Sequence, residues 1–396
     1  MFIALCGKPS VGKSTFFKAS TLADVAIANY PFTTLKSSEG IAFVSLACVD
    51  TEFHVQCNPR TGFCQQGRRF VPIKLMDIPG LIEGSHEGLG RGNEFLSDIA
   101  SSDAFIHIID VSGSTNEKGE PVDPLSYDPV KDIQFLENEI DMWLLGILSK
   151  GWEKFARQVR QENANIYKAI AKQLSSIKVT EDLVKEVILT LRFPQDISAW
   201  SVDQMKSLVV TLRKRTKPMV IAANKMDVVG SEKNLKRLQE MFPEYLIIPC
   251  SADSELALRE ASKSRLIQYV PGSSTFEILG ELNPAQQKAL EHIKTHVLEK
   301  YGNTGVQKVL DSIVFDVLKY IAIYPGGANK LEDKDGNVLP DCFLLKDGST
   351  ALDFAFRLHT DIGNAFIRAI DVKTKRTVGK EHLLKHRDVM EIVVRK

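Results

Sequence analysis

The chain has 396 residues, of which 44% are hydrophobic and 25% are charged, so it can form two or three domains with sizeable cores. Fifty Lys and Arg side chains balance fifty Asp and Glu side chains, which excludes a global field that attracts nucleic acid or membrane. No apolar run approaches membrane-spanning length, and the six cysteines form no disulfide framework, so we expect a cytoplasmic protein with reduced thiols and no membrane partner.

Short apolar runs alternate with glycine-rich turns and helical patterns from Phe2 to about Val111. The strand candidates are FIALC, FVSLAC, FVPIKLMDI and AFIHIIDV, and the series resumes with PMVIAA (218–223) and YLIIPC (245–250). This order predicts an α/β domain with a mostly parallel sheet.

A helical segment from about 128 to 217 interrupts this pattern, with apolar residues at three- and four-residue spacing. Residues 150–217 contain 14 basic and 7 acidic side chains, the most basic stretch of the chain. Two interpretations stay open, a solvated helical hairpin and a surface that faces RNA.

The first glycine loop fits the pattern GxxxxGK[ST] between a predicted strand and a helix expected at 15–20. Its glycines let successive N–H groups point inward, which forms a cradle for phosphate oxygens at a helix N-terminus. We expect Lys13 to reach the β- and γ-phosphates and Ser14 to bind Mg2+. The predicted phosphate-binding residues are Gly7, Lys8, Pro9, Ser10, Val11, Gly12, Lys13, Ser14 and Thr15.

Two further segments complete the predicted phosphate side. DIPG ends a predicted strand, so Asp77 is expected to hold Mg2+ through water and the Gly80 amide to contact the γ-phosphate. In YPFTTL, Thr34 is the preferred Mg2+ ligand and Thr33 the alternative. The predicted catalytic residues are Lys13, Thr34 and Gly80, and the predicted metal ligands are Ser14, Thr34 and Asp77.

The segment NKMD, residues 224–227, follows the strand PMVIAA. The carboxylate of Asp227 can accept hydrogen bonds from N1 and the 2-amino group of guanine, and adenine lacks this pair of donors. The stem of Lys225 can cover the base, and a backbone N–H of the Ser251–Ala252 loop is expected at the guanine O6. The predicted base-binding residues are Asn224, Lys225, Asp227, Ser251 and Ala252.

The order of these motifs is that of P-loop GTPases, which the chain resembles over about 1–272. YPFTTL and DIPGLIEGSHEGLGRGNEFL resemble the Obg-type branch, close to YchF and its archaeal relatives. LKDGSTALDFAFRLHTDIGNAFIRA resembles the TGS domain, a ubiquitin-like β-grasp module. The resemblance implies a GTPase domain at 1–275 that contains the insertion, a helical connector at 276–314 and a C-terminal TGS domain at 315–396.

Three positions depart from the family pattern. Ser10 replaces an Asn that helps to bind K+ in some relatives, which argues against potassium stimulation. NKMD is retained where typical YchF proteins have an altered base motif and accept ATP, so we predict preference for GTP over ATP. Leu81 stands where many GTPases place a water-orienting Gln, so hydrolysis is expected to be slow. His86 and a residue from a partner are open candidates for the missing polar group.

Several residues outside these motifs are also candidates. Cys48, Cys57 and Cys64 lack zinc-ribbon spacing, so structural thiols are preferred and a metal site is the alternative. His107 is expected in the core. In the tail we expect strands YIAIY and CFLLK, one amphipathic helix at 350–369 and two closing strands. A basic cluster there could face RNA or be a solvated face; it comprises Lys373, Lys375, Arg376, Lys380, Lys385 and Arg387.

These features together predict a monomeric switch that binds GTP and GDP, hydrolyses GTP slowly with Mg2+, and engages the ribosome or RNA through the basic insertion and the TGS domain. The alternative is an NTPase switch in stress or nucleotide sensing, with a protein partner and no RNA. A metabolic P-loop kinase is disfavoured because NKMD and DxxG together are switch signatures.

Overall fold

The computed structural model of the protein describes residues 1–22, 38–78, 92–162 and 164–395, with only the backbone for 92–96. Its largest sheet has seven strands, and the six strands predicted from apolar runs are all present in it. The short third strand, which contains Cys64, had not been expected. The strands are β1 Phe2–Cys6, β2 Glu39–Ala47, β3 Phe63–Gln65, β4 Arg68–Asp77, β5 Ala104–Asp110, β6 Met219–Asn224 and β7 Leu246–Pro249.

The order in this sheet is β2-β4-β1-β5-β6-β7, with β3 beside β4. The strands β4, β1, β5, β6 and β7 are mutually parallel, whereas β2 and β3 are antiparallel to β4. This confirms the predicted mostly parallel α/β sheet. Because the carboxyl ends of the parallel strands share one edge, the segments after β1, β4, β6 and β7 are brought together there.

Between β5 and β6 the described residues form five α-helices. Their apolar faces share a core with one face of the sheet, where Leu136 and Leu144 pack with Leu212. A buried ion pair joins the first and last helices, because Arg213 Nε lies 2.7 Å from Asp141 Oδ1. The helices are α3 Val130–Ser149, α4 Trp152–Gln161, α5 Ile166–Gln173, α6 Glu181–Leu191 and α7 Val202–Thr216.

The opposite face of the sheet is covered by the helices α1 Lys13–Thr21, α9 Ala252–Lys263 and α12 Val306–Ser312, and by the π-helical turn that continues α12. Val309 and Ile313 are fully buried there. The segment predicted as a helical connector, 276–314, begins instead with a strand that pairs antiparallel to 267–269. The remaining elements of this region are α2 Gly92–Ser101, α8 Ser231–Met241, β8 Ile267–Tyr269, β9 Phe276–Ile278, α10 Pro284–Ile293 and α11 Glu299–Tyr301.

The C-terminal part is a five-stranded sheet of order β11-β10-β14-β12-β13, which shares a core with the helix at 351–358; a second short helix follows at 360–364. Strands β10 and β14 are parallel, and the other neighbours are antiparallel. The elements are β10 Tyr320–Pro325, β11 Phe343–Lys346, α13 Ala351–Leu358, α14 Thr360–Asn364, β12 Phe366–Asp371, β13 Arg376–Val378 and β14 Val389–Val394.

The prediction of one helix over 350–369 is wrong in its second half. His359 is extended, with φ −167°, and its side chain caps the short α14 by accepting from the Asp361 N–H. The run FIRAID instead forms a strand that pairs with β14, so three strands follow the helices and not two. None of the helices in the described part of the chain combines the length and apolarity that a membrane span requires.

Candidate nucleotide-binding site

The glycine loop between β1 and α1 is shaped by two close backbone approaches. Gly7 has φ 153° and Gly12 has φ 92°. A Cβ at Gly7 would lie 2.4 Å from the Ile108 carbonyl oxygen, and one at Gly12 would lie 2.2 Å from Asn224 Nδ2. Only glycine fits either position, because a side chain would meet both strain and collision.

The N-terminus of α1 opens onto a cavity of about 470 Å3, lined by most of the loop from Lys8 to Thr15 together with Lys225 and Asp253. The first turn of α1 contains no acidic side chain, and Gly12 begins the helix without a side-chain cap. Unpaired N–H groups and the helix dipole therefore favour an anion at this end.

Lys13 and Asp77 meet beside this helix end. Lys13 Nζ lies 2.9 Å from Asp77 Oδ1 and also donates to the carbonyl oxygen of Ile78. Ser14 Oγ lies 3.4 Å from Asp77 Oδ2. Hydroxyl and carboxylate oxygens are ligands that a hard divalent cation accepts, directly or through its bound water. The two predicted metal ligands described here therefore suit one such ion.

Lys8 is engaged elsewhere through its side chain. Its Nζ forms an ion pair with Asp132 Oδ2 at 2.9 Å, donates to the Thr115 carbonyl oxygen at 2.9 Å, and lies 3.7 Å from the centroid of the Tyr127 ring. Burial lowers the pKa of Lys8, and burial raises the pKa of Asp132, in each case against the attraction of the partner. Lys8 can therefore offer a phosphate its main chain, while its ammonium anchors the loop to α3.

Asn224 connects the glycine loop to the segment after β7. Its Nδ2 donates to the Val11 carbonyl oxygen at 2.8 Å, and its Oδ1 accepts from the Ala252 N–H at 2.9 Å. The side chain is buried, so both bonds lie away from bulk water. Asn224 thus fixes the distance between the two segments predicted to hold the phosphates and the base.

Lys225 is held by an aspartate at the end of β5 that sequence reasoning had missed. Lys225 has φ 65°, and its Nζ lies 2.9 Å from Asp110 Oδ2. Burial alone would raise the pKa of Asp110, but hydrogen bonds from Ser112, Lys225 and Thr115 outweigh it, so the pKa is lowered. The position of Asp110 at the carboxyl end of a parallel strand was the sequence signal that could have found it.

The remaining base-binding candidates lie in the turns after β6 and β7. In the described part of the chain, the half-buried carboxylate of Asp227 has no hydrogen-bond or ion-pair partner. The amide of Ser251 donates to the Thr304 carbonyl oxygen at 2.9 Å, and the amide of Ala252 donates to Asn224. A contact to guanine O6 from this loop must therefore displace one of these bonds or use the amide of Asp253, which lines the cavity.

Several predicted residues fall outside the described ranges. These are Thr34 with its alternative Thr33, Gly80, Leu81 and His86. Their roles stay predictions. His107 lies in the core as expected, 2% exposed, and burial lowers its pKa to about 3.

Comparisons with known proteins agree with this geometry. A family model described as 50S ribosome-binding GTPase matches residues 2–145, one described as Obg-like GTPase YGR210-like, G4 motif-containing domain, matches 222–327, and the TGS domain model matches 332–394. A GTP-binding protein of Methanocaldococcus jannaschii is 46% identical over 99% of this chain and 98% of its own length. Obg-like ATPase 1 of Homo sapiens is 27% identical over 97% of this chain and 86% of its own length.

Two solved structures are similar over nearly the whole chain. The crystal structure of a GTP-binding protein from Pyrococcus horikoshii OT3 has a TM-score of 0.78 and 39% identity, with all of both chains covered. The YchF GTPase of Schizosaccharomyces pombe has a TM-score of 0.60 and 20% identity over 99% of this chain and 97% of that one, which shows the shared fold. The chain therefore belongs to the Obg-type, YchF-like family of P-loop GTPases with a C-terminal TGS domain, and it is a GTP-binding protein and GTPase.

Proposed function

We propose that this GTPase is a slow, Mg2+-dependent molecular switch selective for guanine nucleotides, and that it engages the ribosome or RNA. The observation that carries the nucleotide part is the convergence of Lys13, Ser14 and Asp77 at the N-terminus of α1, with Asn224 joining that loop to the base-binding segment. One edge of the sheet thus offers phosphate donors, metal ligands and a purine-selective carboxylate.

On the phosphate side, the amides that begin α1 bind the anionic oxygens, and Lys13 turns from Asp77 towards the β- and γ-phosphates. Ser14 would hold Mg2+ directly and Asp77 would hold it through water, with Thr34 as a further predicted ligand. The ion would neutralise charge that develops on the phosphoryl group during transfer. Gly80 donates its amide to the γ-phosphate.

On the base side, Asp227 accepts the two guanine donors, and its carboxylate is available because no described side chain pairs with it. Asp110 holds the Lys225 ammonium 2.9 Å away, so the aliphatic stem of Lys225 is fixed for covering the base. A site built to pair with guanine leaves Asp227 without its donors when adenine is bound, which costs a factor of at least about 10² in affinity.

Slow turnover follows from the side chain after DxxG. Leu81 can neither donate nor accept a hydrogen bond, so it cannot orient the attacking water as Gln does in other GTPases. The groups that remain are Lys13, the bound ion and backbone amides. Since GTPases with an internal arginine reach only about 10⁻² s⁻¹, we expect a lower intrinsic rate here.

Calorimetry with GDP and GTP in magnesium buffer tests the nucleotide site. Lys13→Ala should abolish measurable triphosphate binding and turnover. Lys18→Ala is the matched control, because Lys18 lies on the same helix with an exposed side chain paired to Glu260. Asp227→Asn should shift preference from guanine to xanthine nucleotides. Full GTPase activity in Lys13→Ala, or equal affinity of the wild type for ATP and GTP, would refute the proposed site.

The ribosome or RNA part is supported by charge on the C-terminal domain. Much of the positive charge in the insertion is already in ion pairs with acidic side chains, so fewer basic side chains of these helices are free to bind phosphate. The paired insertion side chains are Arg157, Arg160, Lys178, Arg213, Lys214 and Arg215. In the C-terminal domain, Lys375, Arg376 and Lys385 are exposed and have no ion-pair partner among the described residues. The matched family model, a 50S ribosome-binding GTPase, points the same way.

Co-sedimentation with ribosomes in the GTP and GDP states tests this part. A Lys375, Arg376 and Lys385 triple alanine variant should weaken binding and reduce its salt dependence. The matched control replaces three exposed lysines of α9, α10 and the turn after it, with the same change in net charge; they are Lys263, Lys288 and Lys294. Binding that ignores both nucleotide and salt would contradict an RNA-facing switch and favour a protein partner.

A further inference from the structure

Four potential metal ligands meet between the end of β2 and β3, outside the nucleotide motifs. The ligand atoms of Cys48, Asp50, Cys57 and Cys64 all lie within 4.8 Å of one another. The sulfurs of Cys48 and Cys57 are 3.5 Å apart, and Cys64 Sγ lies 3.6 Å from Asp50 Oδ2. A tetrahedral zinc ion with Zn–S bonds of about 2.3 Å places its sulfurs about 3.8 Å apart, close to this spacing.

Asp50 gives an independent reason to expect a cation here. It is 2% exposed, and within the described ranges its buried Oδ1 has no hydrogen-bond partner. The other oxygen, Oδ2, accepts from the Cys57 N–H at 3.3 Å and from the Cys64 thiol. Burying a carboxylate with an idle oxygen is costly unless a cation or donor faces it.

We propose that Cys48, Asp50, Cys57 and Cys64 bind one thiophilic divalent ion, Zn2+ by preference. Three thiolates select a soft or borderline metal over Mg2+ or Ca2+, and four protein ligands close the coordination sphere as in structural zinc sites. The four ligands carry more negative charge than the ion neutralises. Arg69 is fully buried and lies opposite Cys64 in the β3–β4 register, so its guanidinium offsets part of this excess.

The site would brace the segment on which the C-terminal domain sits. Asn58 and Arg60, between the second and third cysteines, donate their amides to the Val338 and Pro340 carbonyl oxygens at 3.1 and 2.9 Å. Glu52 pairs with Lys373 at 2.7 Å and with Arg387. An ion that joins both ends of this segment therefore fixes the contact between the two domains and leaves the phosphate loop untouched.

Metal analysis of the full chain, purified without a histidine tag under reducing conditions, tests the site. We expect about one zinc per chain, and after replacement by Co2+ we expect thiolate-to-cobalt charge-transfer absorption and tetrahedral d–d bands. Cys57→Ser should lose the zinc, and Asp50→Asn should weaken zinc binding at least tenfold. Cys342→Ser is the matched control, because Cys342 lies in the C-terminal domain outside the cluster, and it should retain the metal.

The wild-type spectrum decides the matter even if a cysteine variant fails to fold. Wild-type protein that takes up no zinc or cobalt after reconstitution would overturn the proposal. Equal loss of metal in Cys342→Ser, or unchanged affinity in Asp50→Asn, would overturn the ligand set. Removing zinc with a strong chelator should speed hydrogen exchange at 48–64 and 330–342 and leave GDP affinity unchanged; unchanged exchange would refute the bracing role.

Discussion

Asn224 offers a sharp test of how the nucleotide site is built, because one side chain satisfies two buried backbone groups. Asn224→Ala removes the donor to the Val11 carbonyl oxygen and the acceptor for the Ala252 N–H. Each orphaned backbone group costs about 1–3 kcal/mol when it stays buried. For two such groups the expected loss in the free energy of unfolding is therefore about 2–6 kcal/mol, a large part of a typical domain's stability.

The same substitution should weaken GDP binding, because the loops around the phosphates and the base lose their common anchor. Urea unfolding without nucleotide measures the first effect, and calorimetry with GDP measures the second. Asn234→Ala is the control, since it removes a single bond, from Asn234 Nδ2 to the Val111 carbonyl oxygen at 2.9 Å. The reasoning fails if Asn224→Ala has the same free energy of unfolding as Asn234→Ala and binds GDP with an affinity within about twofold of the wild type.

Two further predictions concern buried charges. Burial holds the pKa of His107 at about 3, below its ordinary value of 6.5, so the unfolded chain binds the extra proton and stability falls as pH drops from 6.5 towards 3. Between pH 7 and 5, the free energy of unfolding of the wild type, measured in urea, should fall by roughly 2 kcal/mol more than that of His107→Leu. Equal pH slopes for the two proteins would contradict this. Lys8→Met leaves the Asp132 carboxylate buried without its cation and should lower the free energy of unfolding by about 3–5 kcal/mol. The double variant Lys8→Met with Asp132→Asn should recover part of this loss. If urea unfolding shows no recovery, the ion pair is not the cause.

The sequence was most informative where function needs neighbouring residues in the chain. The strands and the glycine loop follow from runs of consecutive residues, because strand formation and backbone curling are local. Lys13 and Asp77 could be expected at one sheet edge, since parallel strands end together. The ion pair between them could not be predicted, because it depends on how α1 packs beside β4.

The contacts that hold the site together were not predictable from pattern. Lys8 and Asp132 are separated by the whole of β2 to β5, and the pairing of Lys225 with Asp110 spans a similar stretch. Local spacing carries no information on such pairs, and one sequence provides no covariation to reveal them. Asp110 was a partial exception, because a carboxylate at the carboxyl end of a parallel strand lies where open α/β sheets bind ligands.

One wrong prediction and one missed cluster have a different origin, the use of local spacing where tertiary structure decides. The apolar residues of FIRAID stand at helical spacing, yet pairing with β14 makes the segment a strand. The cysteines at 48, 57 and 64 do not fit a zinc-ribbon spacing, yet β2, the turn at 49–51 and β3 bring their sulfurs together with Asp50. Spacing rules describe ligands that lie close together in the chain, whereas a sheet can bring together ligands from separate segments.

The charge arrangement at the phosphate loop explains how the nucleotide state can reach the segment after β4. Lys13 pairs with Asp77 and donates to the carbonyl oxygen of Ile78, so the loop lysine holds the last described residues before the DxxG loop. Lys13 cannot contact oxygens of both the β- and the γ-phosphate and also keep both of these contacts, because four acceptors exceed the three donors of one ammonium. In the switch that we propose, GTP binding exchanges contacts at the end of β4, and loss of the γ-phosphate lets Lys13 return to Asp77 and Ile78. A switch needs only this difference in contacts between two ligand states, and the chain continues from Ile78 directly into the family's long glycine-rich loop.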